Sequence, residues 1–134
     1  FWIGDMRRIQ GSATEVERLL VATAQQDGVA VKGSIPQDPG QAGKAQSQYL
    51  IRQLAGFSYH ASPESGDKVT RAMPFAAQAE AGNVFMIEGP WNTAFLDEID
   101  SFPTGKWKDQ VDAVSRAFSE LTAPEDGYSW TVFS

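Results

Sequence analysis

IPQDPGQAGK, Ile35 to Lys44, is the stretch from which the fold is read. Strand-forming residues lead up to Ile35, Pro36 interrupts them, a carboxylate follows at Asp38, and an amphipathic helix begins within a few residues. In an α/β protein a strand-to-helix junction of this kind delivers side chains to a crevice beside a helix N-terminus, where ligands and catalytic groups gather. A second acidic stretch, Lys108 to Ala113 (KDQVDA), is far away in sequence and is expected to supply the other half of a site.

On the N-terminal side, Phe1 to Ile9 is apolar and β-prone at its start and charged toward its end, and predicts a strand that Gly11 terminates. Ser12 and Glu15 have capping-box spacing, and Val16, Leu19, Leu20 and Thr23 continue one helical face, which predicts a helix over Ala13 to Gln26 stopped by Asp27-Gly28. Val29, Val31 and Ile35 read as the next strand, ended by Pro36 because proline cannot donate to a ladder. Strand, helix and strand in that order imply a crossover and parallel pairing.

On the C-terminal side, Gln41 to Ala55 predicts a helix with Tyr49, Leu50, Ile51 and Leu54 inward, and Phe57 to Ala61 a brief strand. A helix from Lys68 to Ala81 follows, with Asp67 as N-cap and a kink at Pro74. Val84 to Glu88 reads as strand, Pro90 to Asp100 as helix, and Trp107 to Leu121 as the last helix. The segment from Thr122, with Tyr128, Trp130 and Phe133, reads as a tail, so one domain is expected over residues 1–121 and a tail over 122–134.

A chain of 134 residues with 42% apolar content is long enough for one domain with its own core. With no long apolar run and no signal-peptide pattern at the start, the expected location is the cytoplasm, with no membrane partner. The absence of cysteine excludes disulfides, thiol catalysis and cysteine-held zinc, and the single histidine, His60, excludes a histidine cluster within the chain. His60 is expected to be structural, on a half-buried strand. Seventeen acidic residues against 11 basic ones give a net charge of −6, which runs against the basic footprint of most nucleic-acid binders. Carboxylates that hold a hard cation such as Mg²⁺ would account for part of that excess.

GQAGK, Gly40 to Lys44, invites a phosphate-loop reading, but Asp38 stands where the first glycine of a Walker A loop belongs and Ala45 where its hydroxyl belongs. Taken singly, Asp38 reads as an N-cap or turn aspartate, and Asp109 and Asp112 as ordinary acids at a helix N-terminus. The alternative is that they converge, since a two-metal nuclease needs carboxylates from several elements and requires neither histidine nor cysteine. Asp109 and Asp112 are three residues apart and share a helical face.

IPQDPGQAGKAQ, followed by SGDKVTRAMPFAAQAEAGNVFMIEGPWNTAFLDEIDSFPTGKWKDQVDA, resembles the C-terminal nuclease domain of phage and prophage terminase large subunits, from about Phe1 to Phe118. The resemblance implies an α/β, RNase H-like fold, a mixed sheet flanked by helices, that cuts concatemeric double-stranded DNA during genome packaging with Mg²⁺ or Mn²⁺. It implies Asp38 as the acid after the strand, and Asp109 with Asp112 as acids on the last helix. Lys68 and Arg71, with Lys44, would meet DNA phosphate, and the terminase small subunit and portal protein would be partners. The family pattern H-D-D-Q-V-D-A reads Trp107-Lys108-Asp109-Gln110-Val111-Asp112-Ala113 here, with Lys108 in place of an acid, and Pro36 stands where some relatives have glutamate. The chain is expected to lack the first strands of that fold, which carry the first catalytic aspartate. A non-catalytic module that docks DNA or portal is the alternative, and a nucleotide-binding domain built on GQAGK a third reading.

Overall fold

The computed structural model describes residues 1–123; the tail aromatics Tyr128, Trp130 and Phe133 lie outside the described residues. The elements follow in the order β1 (Trp2–Ile3), α1 (Ala13–Asp27), β2 (Lys32–Gln37), α2 (Gln41–Gln53), β3 (Ser58–Pro63), α3 (Lys68–Glu80), β4 (Phe85–Met86), α4 (Asn92–Ser101) and α5 (Asp109–Thr122). This is the α/β class expected, with five helices and short parallel strands among the described residues. The chain divides into two compact units, the first formed by Phe1–Met6 with the residues from Asp67 onward, the second by Arg7–Gly66. No helix of the described residues is long and apolar enough to cross a membrane.

In the first unit β1 pairs in parallel with β4, Trp2 opposite Phe85 and Ile3 opposite Met86. The two-residue alternation of a strand sends Ile3 and Met86 inward and leaves Trp2 and Phe85 stacked on the outer face, ring centroids 4.9 Å apart. Beneath Ile3 and Met86, Phe75 of α3, Phe95 of α4 and Val114 and Phe118 of α5 form the core, with Trp91 and Ile99 packed against it. Phe95 is 1% exposed, and burying a side chain of that size stabilises by about 1.5–3 kcal/mol. The strand expected over Phe1 to Ile9 ends at Ile3, and the Met6 N–H is taken by the Asp5 carboxylate at 2.8 Å rather than by a ladder. β4 stops short of Glu88 because the Asn92 side chain accepts from the Gly89 N–H (2.9 Å) and donates to the Ile87 carbonyl (3.1 Å). Helix α3 runs as one element through Pro74.

The second unit is built on β2 and β3, parallel, in a register running from Lys32 opposite Ser58 to Gln37 opposite Pro63. Strand β2 continues through Pro36, contrary to the expected stop, as a proline can do where its missing N–H would point away from the partner strand. Tyr59 lies over Gly33, its cross-strand partner, so closely that a β-carbon there would meet the ring at 2.1 Å. Helix α1 carries the expected capping box, Ser12 Oγ accepting from the Glu15 N–H and Glu15 accepting from the Ser12 N–H. The interior holds Ala24, Ile35 and Leu54, together with Ser47 of α2, whose hydroxyl lies 3.0 Å from the Lys44 carbonyl and 3.3 Å from Gln37 Oε1. Tyr49, expected inside, is exposed, and its hydroxyl donates to Glu17 at 3.1 Å. That bond to a carboxylate pushes the Tyr49 phenol above its ordinary value.

Candidate functional site

Within the first unit, α3 and α5 run side by side in the same direction, since Lys68 meets Asp109, Arg71 meets Asp112 and Phe75 meets Phe118 in sequence order. Each helix starts with two charges three residues apart, which share a face. The cationic pair of α3 therefore confronts the acidic pair of α5. Arg71 grips Asp112 with Nε at 3.2 Å and Nη2 at 3.0 Å from Oδ1, and Nη2 at 3.3 Å from Oδ2. Lys68 Nζ lies 3.5 Å from Asp109 Oδ1 and 3.6 Å from Asp112 Oδ2, so its ammonium sits between the two carboxylates. Exposure separates the two acids: the Asp112 side chain is 16% exposed and that of Asp109 85%. Two negative and two positive side chains leave this cluster neutral.

The start of α5 is held from α4. Its N-cap residue, Lys108, offers no side-chain acceptor, so the first amides of the helix need a partner from elsewhere. Glu98, only 3% exposed, provides it: Oε2 accepts from the Val111 N–H at 2.6 Å and Oε1 from Gln110 Nε2 at 3.2 Å. A buried carboxylate is tolerated there because it meets helix amides and the positive end of the helix dipole. Glu98 thus fixes the turn that carries Asp109 and Asp112. It was not singled out from the sequence, although the signal is there. Glu98 falls on the same helical face as Trp91, Phe95 and Ile99, and an acid on an apolar stripe calls for a buried partner.

The N-terminus of α3 is capped as the sequence predicts, Asp67 accepting from the Thr70 N–H at 2.7 Å, and that bond holds the Asp67 carboxyl below its ordinary range.

Asp38 belongs to the second unit, one residue past β2, and is exposed. The glycines around it have a packing explanation. Gly40 caps α2 at φ 95°, a left-handed conformation that favours glycine, and a β-carbon on Gly43 would lie 2.3 Å from the Asp38 carbonyl oxygen. GQAGK lets the first turn of α2 close tightly on the end of β2. Lys44 is exposed on that turn. His60, expected on a half-buried strand, is exposed and lines an open groove of about 460 Å³ with Gln37, Ser47, Arg52 and Tyr59. Burial, with the nearby Asp27 charge, raises the Tyr59 phenol.

Asp109 and Asp112 have the donor chemistry that suits a hard divalent cation, which oxygen ligands hold. As the side chains stand, Lys68 and Arg71 take the place of its charge. Among the described residues no three His, Cys, Asp or Glu side chains are grouped so as to hold a metal ion.

The family model described as "Terminase RNaseH-like domain" matches residues 1–121. No curated protein and no solved structure matches the chain.

Proposed function

The chain belongs to the terminase RNaseH-like family, and from that premise we propose that it is the nuclease domain of a terminase large subunit, cleaving double-stranded DNA during genome packaging. What supports this most is that the family match covers both acidic stretches, the one at Asp38 and the one at Asp109 and Asp112. Asp109 and Asp112 are proposed as metal-binding acids, and so, separately, is Asp38; Mg²⁺ or Mn²⁺, when bound, supplies an activated water and neutralises the leaving oxygen of a phosphodiester. The chain's own residues orient the acids. Glu98 anchors the first turn of α5, and Arg71 fixes the rotamer of Asp112 through three short contacts. Asp109 remains open to solvent, where a phosphate group can approach. Lys68 beside the α5 acids, and Lys44 on the first turn of α2, would each offer positive charge to a DNA backbone. Terminase small subunit, portal protein and a cytoplasmic location in the host follow from the same reading.

The direct test is incubation of the large subunit containing this domain with supercoiled plasmid and Mn²⁺. Cleavage is expected, and it should be lost in Asp109→Ala and Asp38→Ala; plasmid left intact by the unaltered protein would overturn the proposal.

A second reading, a non-catalytic module that docks DNA or portal, is favoured by one observation, the neutralisation of both α5 acids by Lys68 and Arg71. Replacing Lys108 with aspartate separates the two. Cleavage that appears or strengthens supports the nuclease, whereas an inert Lys108→Asp protein supports docking.

A further inference from the structure

The open groove of the second unit, about 460 Å³, involves none of the α5 acids. It lies between α2, which contributes Gln48, Ile51 and Arg52, and β3, which contributes Tyr59 and His60, with Gln37 from the end of β2. Residues 48, 51 and 52 share one helical face, which is why they line it together. Its volume falls within the range of small-ligand sites, about 300–1,000 Å³.

The charge of the lining is opposite to that of the chain. Acidic residues outnumber basic ones 17 to 11, yet none of the described residues lining the groove is acidic. Its permanent charge is Arg52, which is exposed and forms no ion pair among the described residues. A guanidinium offers a planar fork of donors that matches phosphate. The Tyr59 side is different. Its ring is held against Gly33, and burial, followed by the Asp27 charge, raises its phenol. The same Asp27 charge disfavours an anion at that ring, whereas a flat apolar group would pack on Tyr59 and Ile51. Gln37 and Gln48 add side-chain amides, and the buried Ser47, its hydroxyl 3.3 Å from Gln37 Oε1, fixes the first of them. A glutamine amide pairs with the edge of adenine through one donor and one acceptor.

We propose that this groove binds a nucleoside monophosphate unit, with the phosphate on Arg52, the base against Tyr59 and Ile51, and the base edge on Gln37 or Gln48. The unit is a free nucleotide or one residue of a single strand, since both present the same phosphate and base. Base stacking on an aromatic side chain beside a cation is how proteins hold such units. The site needs neither a metal ion nor α5, so it goes beyond the nuclease reading and does not depend on it. It is also separate from GQAGK, no residue of which is among the described residues lining the groove. Its residues come from three elements, so no short motif announces it.

The test uses the full 134-residue chain in metal-free buffer. The probes are deoxyadenosine monophosphate, deoxyadenosine, inorganic phosphate and a short single-stranded oligodeoxyadenylate. His60 is the one histidine of the chain and lines the groove, so its imidazole NMR signals report on occupancy without ambiguity. Deoxyadenosine monophosphate should move them. Arg52→Gln, at an exposed position, should weaken the monophosphate by about tenfold, the loss of one charge-assisted hydrogen bond, and leave deoxyadenosine binding as it was. A variant that merely loosened α2 would weaken both. Binding of the oligonucleotide but not of the monophosphate, with the same dependence on Arg52, would support the site and identify a strand as the source; binding of the monophosphate would identify the free nucleotide as sufficient. His60 signals that no probe moves would overturn the proposal. So would monophosphate and oligonucleotide affinities that Arg52→Gln leaves unaltered, an equal loss for deoxyadenosine, or inorganic phosphate bound as tightly as the monophosphate. None of these results bears on DNA cleavage, which is measured separately with Mn²⁺ and plasmid.

Discussion

Arg71 and Asp112 are joined side-on, Nη2 reaching both carboxylate oxygens at 3.0 and 3.3 Å while Nε adds a third contact at 3.2 Å, and this pair ties α3 to the first turn of α5. Both side chains are mostly shielded from water, so removing one partner is costly even though forming the pair requires desolvation. Arg71→Ala should lower stability by about 1–3 kcal/mol, the range for hydrogen bonds to charged groups with a partner left behind. Arg71→Lys, which keeps the charge but not the fork, should recover only part of the loss. Urea denaturation at neutral pH measures both, and an unaltered midpoint in Arg71→Ala would show that the pair contributes nothing.

Asp109 and Asp112 should behave oppositely despite their shared helical turn. Asp109, 85% exposed, should tolerate alanine with a stability change within about 0.5 kcal/mol, whereas Asp112→Ala removes the carboxylate that the Arg71 fork holds and should cost more. Thermal melts of the two variants side by side give the comparison. A larger loss in Asp109→Ala than in Asp112→Ala would contradict the structure.

Glu98 is the buried cap of α5. Alanine there removes the acceptor of the Val111 N–H and leaves the Gln110 amide only the Ala94 carbonyl at 3.5 Å, at a cost of about 2–3 kcal/mol. Glu98→Gln keeps one acceptor and turns an amide donor toward one of the two groups, so it should be intermediate. Hydrogen exchange at Val111 is the specific readout, and it should quicken in both variants; exchange as slow as in the unaltered chain would mean that Glu98 does not cap the helix.

At Gly43 a methyl group would stand 2.3 Å from the Asp38 carbonyl oxygen, which is backbone and cannot swing aside. Gly43→Ala should therefore destabilise by about 1–3 kcal/mol through overpacking, even though alanine is the better helix former. A chain stabilised by that substitution would show that α2 does not close on Asp38 as described.

Asp67 supplies the pH-dependent case. Its carboxyl is held below the ordinary 3.8 by the bond from the Thr70 N–H, so its contribution is fully present above that value and is lost as pH falls through the lower folded value. Asp67→Ala should be less stable than the unaltered chain at pH 7, and the gap should narrow below about pH 3.8. Denaturation curves at pH 7 and pH 3 decide it, a gap that widens at acid pH being the contrary result.

Much of the local structure was legible. Ser12 and Glu15 announce the start of α1 and Asp67 that of α3, because a cap is a contact between residues three apart. The apolar spacing of Val111, Val114 and Phe118 places α5 and puts Asp109 and Asp112 together at its start. The strands were less legible. β1 and β4 are cut to two residues each by side chains, Asp5 and Asn92, that take backbone partners a strand would need. In sequence Pro36 looks like a stop, but a proline ends a strand only where its position needs an N–H.

By itself, then, the sequence determined which segments are helical, where the acids stand on them, and the family to which the chain belongs. Those properties depend on neighbours a few residues apart, or on motifs in order along the chain. Only the tertiary structure decided that Lys68 and Arg71 face Asp109 and Asp112, that a buried Glu98 holds the first turn of α5, and that Gly43 is small because of the Asp38 carbonyl. The first two join residues 13 to 41 positions apart across separate elements. The third depends on how tightly a turn closes, which no local spacing rule encodes.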